Sequence, residues 1–179
     1  ISRFPKTANY WSGLSTALAF TGLVPLAICN RLLEIAKRYV DQSDISGRLR
    51  MMLGSTMIMA AQGEWEKIDD LNDDFLNSSL GIGEFFIVST KIRRDGLLNT
   101  EQGEFALTQK ALVRLDVIGD TYDHFWAILI GLELKVNFLL IKRFAGEALL
   151  EAQKGVVYAQ ERGNEIFEML LLGFKAEAQ

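Results

Sequence analysis

The chain has 179 residues, enough to bury a sizeable core as one domain or one repeat array. With 49% of residues apolar and 23% charged, the composition argues against disorder. A net charge of −4 argues against a nucleic-acid partner, the one cysteine excludes an internal disulfide framework, and the one histidine excludes a multi-histidine metal site.

The sparing use of cysteine fits a reducing compartment, so a cytoplasmic location is expected. The chain opens at Ile1 without a basic-then-apolar leader and stops inside the apolar periodic run 166–174. It therefore reads as a piece cut from a longer protein.

Residues 1–8 read as a lead-in. Over 9–20, Trp11, Leu14 and Leu18 recur at helical spacing. Gly22 interrupts. Pro25 then opens a second helix, where its missing N–H would be unpaired anyway. That helix runs to about Val40 with Leu26, Leu33, Ala36 and Val40 facing one way. Residues 41–46 form a polar turn in which Asp44 or Ser46 can cap the next helix.

A helix over 46–61 follows, rich in methionine at Met51, Met52, Met57 and Met59, and Gly63 ends it. Its partner over 64–77 puts Trp65, Ile68, Leu71 and Phe75 on one face. The other face is acidic, from Glu64 and Glu66 through Asp69, Asp70, Asp73 and Asp74. Gly81 and Gly83 mark the next turn. Helices are predicted over 84–100 and 104–118, separated at Gly103, with Gly119, Asp120 and Thr121 as the turn after them. The most apolar helix covers 122–142. A last pair over 145–161 and 164–178 breaks at Gly163. No stretch shows the two-residue alternation of a strand.

The chain also repeats itself. Gln62-Gly63-Glu64-Trp65 returns about 40 residues on as Gln102-Gly103-Glu104-Phe105. Weaker echoes stand at Thr21-Gly22-Leu23-Val24 and Lys142-Arg143-Phe144-Ala145. Such a period marks a repeat array. Its units are about 9–41, 45–80, 83–118 and 121–162, with a half-unit at 164–179. Short connections make each hairpin antiparallel. One hairpin cannot bury both of its faces, so it stacks on the next.

Trp11, Leu14 and the small Ser15, ahead of Gly22, Val24 and Ala27, have the spacing of a tetratricopeptide repeat. Gly63-Glu64-Trp65 with Ile68, and Gly96 with Gly103-Glu104-Phe105, keep parts of that pattern. Over 9–179 the chain resembles a tetratricopeptide-repeat-like array. Its period exceeds the family's usual length of about 34 residues. In this it is similar to the long arrays of large bacterial signalling proteins, such as maltose-regulator-type activators and ATPase, cyclase or kinase fusions. The resemblance implies an all-α, right-handed superhelix of antiparallel helix hairpins, an α-α solenoid. It also implies a partner-binding groove lined by the first helix of each pair. Register places Leu53 and Met57 there, then Arg93 and Leu97 with Arg94 beside them, then Glu133 and Asn137. That set lacks the several Lys and Asn residues of the family's carboxylate binders.

Each notable cluster has an ordinary reading. Lys91, Arg93 and Arg94 form the one basic cluster, either a solvated helix face or a hold on an acidic segment. The acidic run over 64–74 is helical by pattern, which suits a solvated or docking face and not a calcium loop. His124 reads as a cap-region histidine, without a nucleophile or ligand set around it. The methionines serve a core or an adaptable binding surface. The charge-free stretch 7–30 is long enough to span a bilayer, but its polar residues and the break at Gly22 and Pro25 argue against membrane insertion.

The expected function is a non-catalytic protein-binding scaffold or sensor, with no catalytic residue, cofactor or metal. Its partner would be another protein or another domain of the parent chain. A second copy, paired through a C-terminal helix that exposes apolar residues over 166–172, is a further candidate. The alternative is an effector-binding regulatory segment of a transcription activator or signalling ATPase or cyclase, with Trp11, Trp65 and Trp126 lining a pocket.

Overall fold

The computed structural model describes residues 24–41, 43–64 and 72–179, together with 11, 13–15 and 18. Among the described residues the chain is all-α, with no strand. Eight helices follow in order: α1 Leu26–Lys37, α2 Ile45–Gln62, α3 Asp73–Gly81, α4 Phe85–Glu101, α5 Phe105–Tyr122, α6 Phe125–Ile141, α7 Ala145–Glu161 and α8 Glu165–Glu177. Most of the helix expected over 9–20 lies outside the described residues, as do Gly22 and residues 65–71 with Trp65, Ile68 and Leu71. None of the described helices is long and apolar enough to cross a membrane. Much of the charge-free stretch 7–30 lies outside the described residues.

The regular spacing of the helices has a backbone cause. Positive φ recurs every 20 residues, at Gly63 (75°), Gly83 (83°), Gly103 (80°), Asp123 (46°), Arg143 (62°) and Gly163 (64°). After each of these, the next N–H donates to a carbonyl five residues back. The pairs are Glu64 to Met59, Glu84 to Ser79, Glu104 to Asn99, His124 to Gly119, Phe144 to Leu139 and Asn164 to Ala159, all between 2.8 and 3.1 Å. This is the Schellman ending, which satisfies carbonyls that a helix terminus leaves bare. Two such turns make one period. The helix starts at Ile45, Phe85, Phe125 and Glu165 accordingly fall 40 apart.

One expected turn is misplaced. α5 does not stop at Ile118; it continues through Gly119, Asp120 and Thr121 to Tyr122, and α6 begins only at Phe125. Gly119 is buried, and a Cβ on it would lie 2.7 Å from Ile128 Cγ1. It serves close packing of α6, while Asp123 takes the left-handed turn. Nor is the helix expected over 64–77 a single one: Asn72 is extended and caps a helix that begins only at Asp73, accepting from Phe75 N–H at 2.8 Å, and α3 then continues to Gly81.

The chain divides into two compact units, 1–88 and 89–179, with the division in the first turn of α4. In the first unit, α1 packs on α2 and α2 on α3. Its core gathers Cys29, Leu33, Ala36, Met51 and Ile58, flanked by Trp11, Leu18, Val24 and Val40. Ser15 Oγ donates to the Cys29 carbonyl at 2.7 Å inside it. Asp44 caps α2 by accepting from Gly47 N–H at 2.8 Å, as one of the two expected candidates. Ser46 and Arg50 of α2 both hold the Glu84 carboxylate.

In the second unit the helices pack in sequence as antiparallel pairs: α5 on α6, α6 on α7 and α7 on α8. α6 also reaches α8. Helix α4 joins this stack through Gly96, where a Cβ would lie 2.5 Å from Leu134 of α6 and 3.2 Å from Ala111 of α5. The small residues work as holes for neighbouring leucines. Leu115 of α5 sits over Gly131 of α6; one period later the roles exchange, with Gly155 of α7 under Leu171 of α8. Phe105, the aromatic after the turn glycine, packs edge-on against Phe138 at 5.7 Å. α6 is surrounded on most sides, which explains an apolar sequence with no single hydrophobic stripe.

Candidate functional site

The expected groove residues divide between the units. Leu53 and Met57 lie half-buried on α2 of the first unit. Arg93, Arg94 and Leu97 lie on α4, and Glu133 and Asn137 on α6, all in the second. There the structure joins two of them. Arg93 Nε and Nη2 donate to the two carboxylate oxygens of Glu133, a bidentate fork. The partners are one period apart, and only 3% of the Glu133 side chain is exposed against 23% for Arg93. A carboxylate so buried needs its counter-ion, because desolvation would otherwise neutralise it or unfold the helix around it.

The basic cluster is not a solvated face. Lys91 is completely buried, and its ammonium spans both oxygens of Asp95, one turn on, at 2.6 and 2.8 Å. Arg93 is committed to Glu133. Arg94 differs: it is half-buried, and among the described residues it makes no ion pair or hydrogen bond. Burial, and then the adjacent Arg93 charge, hold its pKa below the usual arginine value, against the pull of Glu133, Glu101 and Asp95.

One turn further along each helix stand Leu97 and Asn137, both half-buried. The Asn137 side-chain oxygen is buried and has no donor among the described residues. α4 and α6 thus carry an unpaired guanidinium, an unpaired amide oxygen and an apolar side chain beside a closed ion pair. Spacing gave a usable signal for both internal pairs: Lys91 and Asp95 stand four apart, and Arg93 and Glu133 share a repeat position. Asn137's unpaired oxygen has no signature in the sequence.

Elsewhere some polar groups are engaged, while Arg50 Nε and the hydroxyls of Ser89 and Tyr158 are buried without a hydrogen-bond partner among the described residues. On α7, Glu151 accepts from Lys154 at 2.9 Å and faces Lys135 of α6 at 3.2 Å. Burial pushes its pKa up, but those two ammonium groups outweigh it and hold the carboxyl below its usual range. His124 caps α6 by accepting from Ala127 N–H at 3.4 Å, and burial lowers its pKa. Met51 is a core residue; Met52, Met57 and Met59 are half-buried. Trp11 packs against the core of the first unit, and Trp126 packs edge-on against Phe167 at 5.5 Å in the second. No cluster of three metal-ligating side chains occurs among the described residues, and 65–71 of the acidic run lie outside them. An open hollow of about 430 Å³ runs along one side of α7, lined by Leu150, Val157 and Tyr158 among others.

No family model, curated protein or solved structure matches the chain.

Proposed function

We propose that the chain is a non-catalytic protein-interaction module, a tetratricopeptide-like solenoid. In this reading the α4 and α6 face of its second unit grips an acidic segment of a partner protein or of another domain of its own chain. The observation that carries the reading is Arg94. A guanidinium presents five donors in a fixed fork and stays charged, and that of Arg94, half-buried, has no acceptor among the described residues. Its neighbours Lys91 and Arg93 already have carboxylates. An incoming Asp or Glu would meet Arg94 as a charge-assisted, bidentate pair. The Asn137 oxygen supplies an acceptor for a peptide N–H, and Leu97 supplies apolar contact.

The test is selection of peptides from a random displayed library on the intact chain and on Arg94→Gln. Peptides enriched on the wild-type chain should carry an Asp or Glu at a fixed place. Their affinity should fall about tenfold or more on Arg94→Gln, the scale of a lost charged hydrogen bond. Helix content by circular dichroism should not change. Enriched peptides without an acid, or indifferent to Arg94→Gln, would refute the reading.

A further inference from the structure

We propose that Phe105, Phe138 and Phe144 form a binding site for a quaternary ammonium group on a small zwitterion, and that Lys142 fills this site in the free chain. The proposal does not rest on the Arg94 face. The Lys142 ammonium lies over three phenyl rings at once, 5.0 Å from the centroid of Phe144, 5.2 Å from that of Phe138 and 5.8 Å from that of Phe105. Each distance is within the reach of a cation–π contact. Phe105 and Phe138 meet edge-on at 70°, so their faces are set at an angle around the cation. The rings come from the start of α5, the last turn of α6 and the residue ahead of α7.

These rings suit a different cation better than the one they hold. An ammonium carries three N–H donors. Lys142 is half-buried, and among the described residues its ammonium makes no ion pair and no hydrogen bond. The phenyl faces attract its charge but offer those donors no oxygen. A trimethylammonium group has the same charge, no N–H to satisfy, and methyl groups that pack against the rings.

The turn breaks local rules in order to build the site. After the other left-handed residues the chain is polar, at Glu64, Glu84, Glu104, His124 and Asn164. Here it is Phe144, 45% exposed, and α7 starts without a side-chain cap. Arg143 takes φ 62° with a side chain in place, where four of the turns use glycine. Arg143 N–H donates to Leu140 and Phe144 N–H to Leu139, both at 2.9 Å, so the walls on this side are preformed.

Charge narrows the ligand. Once displaced, the Lys142 ammonium stands beside Arg143, which is exposed and has no ion pair among the described residues. Two cations then border the site and repel a bare cation. A trimethylammonium that carries its own carboxylate places the anion beside them.

The test uses glycine betaine, choline and 3,3-dimethylbutanoate, the last an isostere of betaine with carbon in place of the charged nitrogen. Titrated with the 179-residue chain and followed by proton magnetic resonance, the N-methyl signal of betaine should move upfield and saturate, because those protons sit against ring faces. Lys142→Ala removes the competing occupant and should tighten betaine several-fold. Phe144→Leu keeps apolar volume and removes a ring face, so it should weaken betaine about tenfold. Choline should bind the wild-type chain more weakly than betaine, and the isostere should not bind. Helix content by circular dichroism should match in all chains. No saturable shift on either the wild-type chain or Lys142→Ala would overturn the proposal. So would binding of the isostere as tight as that of betaine, or affinity indifferent to Phe144→Leu. Choline binding as tight as betaine would overturn the assignment of a zwitterion.

Discussion

Arg93 and Glu133 show how one interaction divides unequally between its partners. Glu133 is sealed, whereas Arg93 keeps contact with water. Removing the arginine strands a buried carboxylate, and removing the carboxylate leaves a cation that can reach solvent. Arg93→Ala should therefore cost about 3–5 kcal/mol, the scale for breaking a buried pair. Glu133→Ala should cost distinctly less, and Arg93→Met with Glu133→Leu should recover most of the loss by replacing both charges with apolar volume. Urea unfolding of the three variants measures this. Equal costs for the two alanine variants would mean that the burial difference has no energetic weight. Arg94, next in sequence, has no such partner among the described residues, and this sets it apart as a place for a ligand's charge.

At the scale of the element, the turns define the helices. Gly63, Gly83, Gly103 and Gly163 supply positive φ without steric cost, while Asp123 and Arg143 adopt it with a side chain in place. The turn at Asp123 leads directly into the His124 cap of α6. That cap works only with the ring neutral, since Nδ1 must accept from Ala127 N–H. Burial lowers the His124 pKa below its ordinary 6.5, so the unfolded chain takes up the proton first. The stability that the neutral cap supplies is complete above about pH 6.5 and is lost as pH falls through the lowered value. A cap is worth about 1 kcal/mol. Thermal unfolding between pH 7.5 and 5 should show that loss in the wild-type chain and a flatter profile in His124→Asn, which keeps an acceptor without a titrating ring. Identical profiles would remove His124 from the account of α6.

Across the whole molecule, the all-α class and most helix ends were legible, because glycine at a left-handed turn is a direct sequence signal. The same signal misled at Gly119, where a glycine serves close packing against Ile128 and the turn falls on Asp123. A backbone role and a packing role for glycine look alike in one dimension. The spacing of 20 residues between turns was the discriminating clue, since it points to 123 and not 119. The candidate site was legible in part. Register brought Arg93 and Glu133 together, but it also put Leu53 and Met57 in the same groove, whereas they lie in the other unit. It could not show that Lys91 is sealed inside, because a cation among charged neighbours reads as surface until its burial is seen.

The most direct test of the central claim is fluorescence anisotropy of a labelled acidic peptide from the displayed library, titrated with the wild-type chain, Arg94→Lys and Arg94→Gln. The account predicts the order wild type, then lysine, then glutamine, because lysine keeps the charge and loses the fork. It also predicts that added salt narrows the gap between lysine and glutamine. Equal affinity for all three chains would contradict the account and move the binding surface away from α4.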